Sequence, residues 1–237
     1  MSEDILGKAL LDYHNLKYTE DIITISSLDE EDRLPLPYMF RSFEQMPLLE
    51  QIALEHCKGM VLDVGCGAGN HSLYLQNKGY EVTGLDASPG AVSVCRQRGV
   101  LKTIHADFLS LDGQQFDTLL LLMNGIGITG KLKKLDTYLN QMKRLLRPNG
   151  QVLLDSSNIL YMYESDEEDG GYWIPQNVDY YGEVTFTMRY KNEVSEPFDW
   201  LYVDFNTLKR AATFNGLHCD MVKQGENDDY LARLTFL

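Results

Sequence analysis

Val61-Leu62-Asp63-Val64-Gly65-Cys66-Gly67-Ala68-Gly69 is a buried-strand pattern that runs straight into three alternating glycines. The residues that follow, Asn70-His71-Ser72-Leu73-Tyr74-Leu75, carry apolar side chains at helical spacing, so the glycines occupy a strand-to-helix turn. Lacking Cβ atoms, Gly65, Gly67 and Gly69 let backbone approach a ligand more closely than any other residue allows. The helix start behind them aims N–H groups at the ligand's polar end. Strand, glycine turn and helix together predict an α/β fold of the Rossmann-like, doubly wound kind, with a nucleotide-type site at the turn.

The spacing excludes two rival sites. A phosphate-cradling loop ends in Gly-Lys-Ser/Thr, whereas Gly69 is followed by Asn70 and His71, leaving no lysine for a β/γ-phosphate. The dinucleotide fingerprint G-x-G-x-x-G sets its third glycine one residue later, and Asn70 fills that place here.

Acids recur at the ends of successive strands. Asp63 lies inside the first strand, where a carboxylate is costly to desolvate unless paired; it accepts either from a cationic ligand group or from the turn itself. Tyr80-Glu81-Val82-Thr83-Gly84-Leu85-Asp86 reads as a second strand ending in an acid. An acid roughly 20 residues beyond the glycine turn is placed to bind a ribose diol. Asp86 is not needed as a helix cap, because Ser88 before Pro89 already supplies one for a helix over Pro89 to Arg98. A third strand, Leu101 to His105, leads to Asp107-Phe108, suited to an adenine amine and base face, although a loop Asp also caps turns. The fourth, Phe116 to Met123, is continuously apolar, as the centre of a parallel sheet requires, and discharges into Asn124-Gly125-Ile126-Gly127.

These residues resemble the class I S-adenosylmethionine-dependent methyltransferases over roughly Val61 to Ser156, including the turn Leu146-Arg147-Pro148-Asn149-Gly150 before a fifth strand. The resemblance implies a mostly parallel sheet with an antiparallel C-terminal strand and S-adenosyl-L-methionine as cofactor. It implies that Asp63, Gly65, Cys66 and Gly67 hold the methionine end and that Asp86 with Ala87 binds the ribose. Asp107 and Phe108 would frame the adenine, and Leu122, Met123 and Asn124 would line the cofactor near its methyl. The expected reaction is in-line methyl transfer. A cofactor-holding module without transferase activity and a nicotinamide-dependent oxidoreductase stand as alternatives, the second opposed by the glycine spacing.

Composition narrows the partners. The chain has 237 residues, 44% of them hydrophobic, enough for one enlarged α/β domain. Its net charge of −14 opposes nucleic-acid binding, which draws most of its affinity from phosphate neutralisation. Lys131, Lys133, Lys134, Lys143, Arg144 and Arg147 gather around one predicted helix and read as its solvated face. A small-molecule acceptor is therefore expected, with no nucleic acid and no membrane partner. The N-terminus lacks a basic leader and no apolar run reaches membrane-spanning length, so a cytoplasmic location is expected. Cys57, Cys66, Cys95 and Cys219 are scattered without metal-binding spacing, and no metal is expected.

Outside the central unit, residues 1–57 are expected to form a helical segment covering the site, ahead of a methyltransferase-like domain over 58–237. A helix is expected at Ile5 to Tyr13 and another over Tyr38 to Cys57. Tyr38 and Arg41 at its start are candidate contacts to the cofactor carboxylate or the substrate, since arginine offers a bidentate carboxylate partner. Residues 157–203 read as an antiparallel insertion over the pocket, with an acidic loop at 166–171. Gly182 to Tyr190 and Trp200 to Val203 are its paired strands; Tyr172, Trp173, Tyr180, Tyr181 and Trp200 would supply its apolar walls, with Trp173 and Tyr181 as the candidate substrate contacts. A helix from Phe205 to Asn215 precedes two closing strands, Leu217 to Lys223 and Tyr230 to Phe236. No catalytic base is assigned: His71 is the histidine nearest the turn in sequence, yet reads first as a helix-start residue.

Overall fold

A computed structural model of the chain describes residues 4–165, 171–176 and 178–237. After α1 (Ile5–His14), β1 (Ile22–Ser26), β2 (Glu31–Leu34) and α2 (Leu48–Glu55), the chain alternates strand and helix. The alternating part comprises β3 (Met60–Val64), α3 (Asn70–Asn77), β4 (Glu81–Asp86), α4 (Pro89–Arg98), β5 (Lys102–His105), β6 (Phe116–Leu121), α5 (Leu135–Leu145) and β7 (Leu146–Ser157). Then come β8 (Glu183–Tyr190), β9 (Glu193–Val194), β10 (Phe198–Leu201), α6 (Phe205–Phe214), β11 (Leu217–Gln224) and β12 (Asp229–Phe236).

Seven strands form the main sheet in the order β11-β12-β7-β6-β3-β4-β5. Pairs from β7 through β5 are parallel, while β12 runs antiparallel to both β7 and β11. The chain starts in the middle at β3, winds outward through β4 and β5, then returns to β6 on the other side. Strand order therefore reverses between β3 and β6, the place where such sheets open a ligand crevice. The apolar run of β6 is explained by burial on both faces. Leu119 and Leu121 pack with Met142, Leu154 and Leu208 on one side, and Leu120 packs with Val61, Leu75 and Leu153 on the other. Ser88 caps α4 by accepting from Ala91 N–H at 2.9 Å, and Gly99 ends it in the left-handed region at φ +100°. The turn at residues 146–150 is a bulge within β7: the β6 partner shifts from Phe116/Leu146 to Thr118/Gln151.

A second, antiparallel sheet has the order β10-β8-β1-β2, with β9 on β8. The expected pairing of the insertion strands is present, Trp200 lying opposite Val184. The N-terminal segment departs from its expected helical character, because residues 22–34 are a hairpin whose β1 joins β8, Ile23 opposite Arg189. Tyr38 to Cys57 is likewise not one helix. It comprises two short 3-10 turns, Leu36–Phe40 and Phe43–Gln45, followed by α2. Pro47 is the reason: it has no N–H for a helix ladder and forces Met46 into extended backbone, φ −73° and ψ 147°. The acidic stretch 166–170 lies outside the described residues. Among the described residues no helix is long and apolar enough to cross a membrane.

Candidate functional site

The glycine turn is a latched structure. Gly65, Gly67 and Gly69 all have positive φ, at +73°, +53° and +85°. A Cβ at Gly69 would sit 2.9 Å from Cys95 Sγ and 3.0 Å from Val100, so that glycine is needed for packing against α4. A Cβ at Gly65 would meet nothing within 4 Å, so there the left-handed backbone faces open space at the cleft. Gly65 and Cys66 donate to Leu85 O at 2.8 and 3.0 Å. Asp86 accepts from Gly67 N–H at 2.9 Å through one oxygen and from Ser88 N–H at 2.8 Å through the other. Burial pushes the Asp86 carboxyl above its ordinary range, and these two N–H groups oppose that.

A cleft of about 460 Å³ opens above this turn at the sheet's switch point. That volume falls within the range of small-ligand sites. Gly65, Cys66 and Gly67 form its floor, Asp86 and Ala87 one wall, Asp107 and Phe108 the next, and Met123 and Gly125 the far side. Phe108 is backed by Tyr138, stacked at 5.9 Å. Asp107 borders the cleft and also caps its own turn, accepting from Leu109 N–H at 2.8 Å. Asp63 stands apart. It is 1% exposed and lies beneath the turn, not on the cleft wall, accepting from Ser72 Oγ at 2.6 Å. Burial raises its pKa, with His71 and Ser72 acting against that shift. Asn124 sits behind Met123, its Nδ2 on Leu201 O at 3.2 Å.

Beside the turn lies a buried polar cluster of which only part was foreseeable. Arg41 is 6% exposed and lines the cleft. Its Nη2 donates to both Glu50 oxygens, at 2.6 and 2.5 Å, its Nη1 donates to Tyr38 O at 2.7 Å, and its guanidinium stacks 3.9 Å from the Tyr38 ring. Its Nε is buried with no protein partner among the described residues. His71 also lines the cleft, and its Nε2 meets Glu50 Oε2 at 2.7 Å. Burial works against ionised Glu50, but His71 and Arg41 outweigh it and hold the carboxyl below its usual range. Burial, then the charge of Glu50, pushes Asp155 up to about 7. Glu50 carried no sequence signal, being one acid on an apolar helix. Asp155 did carry one: Val152-Leu153-Leu154-Asp155 repeats the pattern of a strand ending in an acid that marks Asp86.

Of the aromatic residues expected as walls of the insertion, Trp200 lines the cleft, whereas Trp173 and Tyr181 do not. Trp173 is 69% exposed and away from it. Tyr181 donates to Asn158 Oδ1 at 2.9 Å and borders a separate open groove of about 1060 Å³ along α6. Trp200 of β10 lines the cleft together with its neighbours Phe198 and Asp199. Trp200 is seated against the loop after β6, where a Cβ at Gly127 would lie 2.0 Å from Trp200 Nε1.

The fold and cleft define a nucleoside-binding α/β domain, and comparison with known proteins specifies it further. Residues 61–150 match the family described as methyltransferase domain. The structure of an S-adenosylmethionine-dependent methyltransferase from Bacteroides fragilis, in complex with S-adenosyl-L-homocysteine, is 43% identical with a TM-score of 0.90. That similarity covers 98% of this chain and 94% of the other. A glycine/sarcosine N-methyltransferase from Parasynechococcus marenigrum is 30% identical over 62% of this chain and 53% of its own length. A ubiquinone biosynthesis O-methyltransferase from Cereibacter sphaeroides is 30% identical over 41% of each. The chain thus spans about half the length, or less, of these curated relatives. It belongs to the class I S-adenosylmethionine-dependent methyltransferases, and S-adenosyl-L-methionine is its cofactor.

Proposed function

We propose that this protein moves a methyl group from S-adenosylmethionine to a small-molecule acceptor by in-line displacement. The observation that carries the reading is the enclosure of the cleft by β10, with Phe198, Asp199 and Trp200 facing the glycine turn. A walled cavity suits a small acceptor; a nucleic acid would need an open basic track. Three of the cations around α5 support this by being engaged locally: Lys131 pairs with Asp199 at 3.2 Å, Arg147 with Asp117 at 3.0 Å, and Lys143 donates to Asn215 O at 2.6 Å.

The residues present fit the cofactor. The open space at Gly65, the half-buried Asp86 carboxylate and the unpartnered Arg41 Nε offer room, a diol acceptor and a donor for a carboxylate. In this reading Gly65, Cys66 and Gly67 hold the amino-acid end, and Asp63 stiffens the turn from below through Ser72. Asp86 with Ala87 takes the ribose, Asp107 and Phe108 take the adenine, and Met123 flanks the methyl. Tyr38 acts by holding the Arg41 guanidinium. Residues 1–57 and the insertion at about 157–203 serve as a joint cover. When bound, the cofactor supplies a methyl already activated by sulfonium. The protein's task is then orientation and water exclusion, and orientation is worth roughly 7–11 kcal/mol in well-aligned systems.

Titration calorimetry with S-adenosylhomocysteine tests the cofactor assignment, and a folded protein that does not bind it would sink the proposal. Asp86→Ala should weaken binding at least tenfold, because it removes both the diol acceptor and the latch on Gly67. Formation of S-adenosylhomocysteine with a panel of amines, hydroxy compounds and RNAs tests the acceptor class; turnover confined to RNA would refute it.

A further inference from the structure

Met123, on the cleft's far side, and Asn124 behind it hold a backbone conformation that neither adopts readily. Their φ values are +61° and +54°, so two consecutive non-glycine residues are left-handed. Each such residue is strained and persists only where its surroundings over-determine it. One side chain reaches both. Asp155 accepts from Met123 N–H at 3.2 Å through Oδ2 and from Asn124 N–H at 2.8 Å through Oδ1.

The placement has a topological cause. The last β6–β7 pair is Leu121 with Leu154, so Asp155 is the first β7 residue beyond the end of β6. There β6 turns away, its backbone N–H groups lose the strand ladder, and the Asp155 carboxylate takes over as their acceptor. The contact continues into the second sheet. Asn124 Nδ2 donates to Leu201 O at 3.2 Å, Ser156 Oγ donates to Asn124 Oδ1 at 2.8 Å, and Val203 N–H donates to Ser156 Oγ at 3.0 Å. The strand carrying Trp200 is thereby fixed to the same turn.

From this geometry we infer that Asp155 is the positioning residue for the cofactor's methyl side, forcing the Met123–Asn124 turn into its left-handed shape and joining it to β10. The inference rests on the methyltransferase reading but assigns a role to a residue outside the cleft lining. It acts through backbone strain, and that makes it separable from a general loss of packing. Glycine carries little penalty in the left-handed region, so a glycine at 124 removes one of the two strained positions and should reduce the turn's dependence on Asp155.

The test is a double-mutant cycle read by calorimetric S-adenosylhomocysteine affinity, with melting temperatures recorded for each variant. Asp155→Asn in the natural background should weaken binding at least tenfold. The same change in an Asn124→Gly background should weaken it no more than threefold. Equal losses in the two backgrounds, or no loss in the natural one, would overturn the assignment while leaving the cofactor reading intact. Should Asp155→Asn fail to fold, Asp155→Glu, which keeps the acceptor but moves it by one methylene, takes its place with the same two expectations. Failure of the unmodified, folded protein to bind S-adenosylhomocysteine would instead overturn the cofactor reading and this proposal with it.

Discussion

The main sheet and its cover are built by different kinds of contact. In the sheet, each strand of β3 to β7 lies close in sequence to the helix that packs on it, and its acids fall at strand ends by simple alternation. The cover is assembled from distant pieces, β1 from the first thirty residues pairing with β8, and β10 closing on the loop after β6. In the proposed reading the site has a cofactor half defined locally and an acceptor half defined by tertiary pairing. One of the places where the N-terminal segment meets the sheet domain is Glu50, which receives Arg41 from the former and His71 from the latter.

Breaking that joint should have the largest effect. Glu50→Gln leaves Arg41 buried with a neutral partner, and losing one member of a buried ion pair costs about 3–5 kcal/mol. Thermal melting should show the loss; a change below about 1 kcal/mol would mean that this buried cluster contributes little to joining the two parts.

Next in size is a pH effect from Asp155, on the order of a few kcal/mol at most. Its carboxyl titrates near 7 in the folded protein, above the ordinary carboxylate value it regains on unfolding. The folded state therefore holds the extra proton. Stability from this group is complete below about pH 4 and is lost as pH rises to about 7. Glu50, shifted downward, has the opposite sign and loses its contribution in acid. Melting temperatures across this range should show the natural protein losing stability relative to Asp155→Asn as pH rises. A constant difference would contradict the assignment.

A smaller change sharpens the contrast between the halves. Gly127→Ala drives a Cβ into Trp200 and should cost about 1–3 kcal/mol by overpacking. Turnover of an acceptor should suffer more than cofactor affinity, and the reverse order would move Trp200 to the cofactor half. The smallest effect is expected at Trp173. Its side chain is exposed, so Trp173→Ala should stay within about 0.5 kcal/mol and leave cofactor binding unchanged. A tenfold loss of affinity would return it to the site.

The glycine turn, the Asp86 strand end, the Ser88 cap and the antiparallel closing strands were all legible, because each depends on residues within a few positions of one another. Tyr181 and Trp173 misled because aromatic character reports apolar area without saying which cavity it faces. Apolar periodicity predicts a single helix over Tyr38 to Cys57, but Pro47, which lacks an N–H, sets α2 apart from the two 3-10 turns before it. Asp155 was within reach, since it ends an apolar strand as Asp86 does.

By itself, then, the order of amino acids determined a parallel α/β sheet and a nucleotide-type turn, because strand periodicity, glycine conformation and carboxylate placement are short-range properties. The cofactor's chemical class entered through the family resemblance that those residues carry. Only the tertiary structure decided that Asp63 lies under the turn, that Arg41, Glu50 and His71 form one buried cluster, and that β10 walls the cleft. Those outcomes depend on strands and side chains from distant parts of the chain meeting in space, a matter of shape and burial that no local pattern encodes.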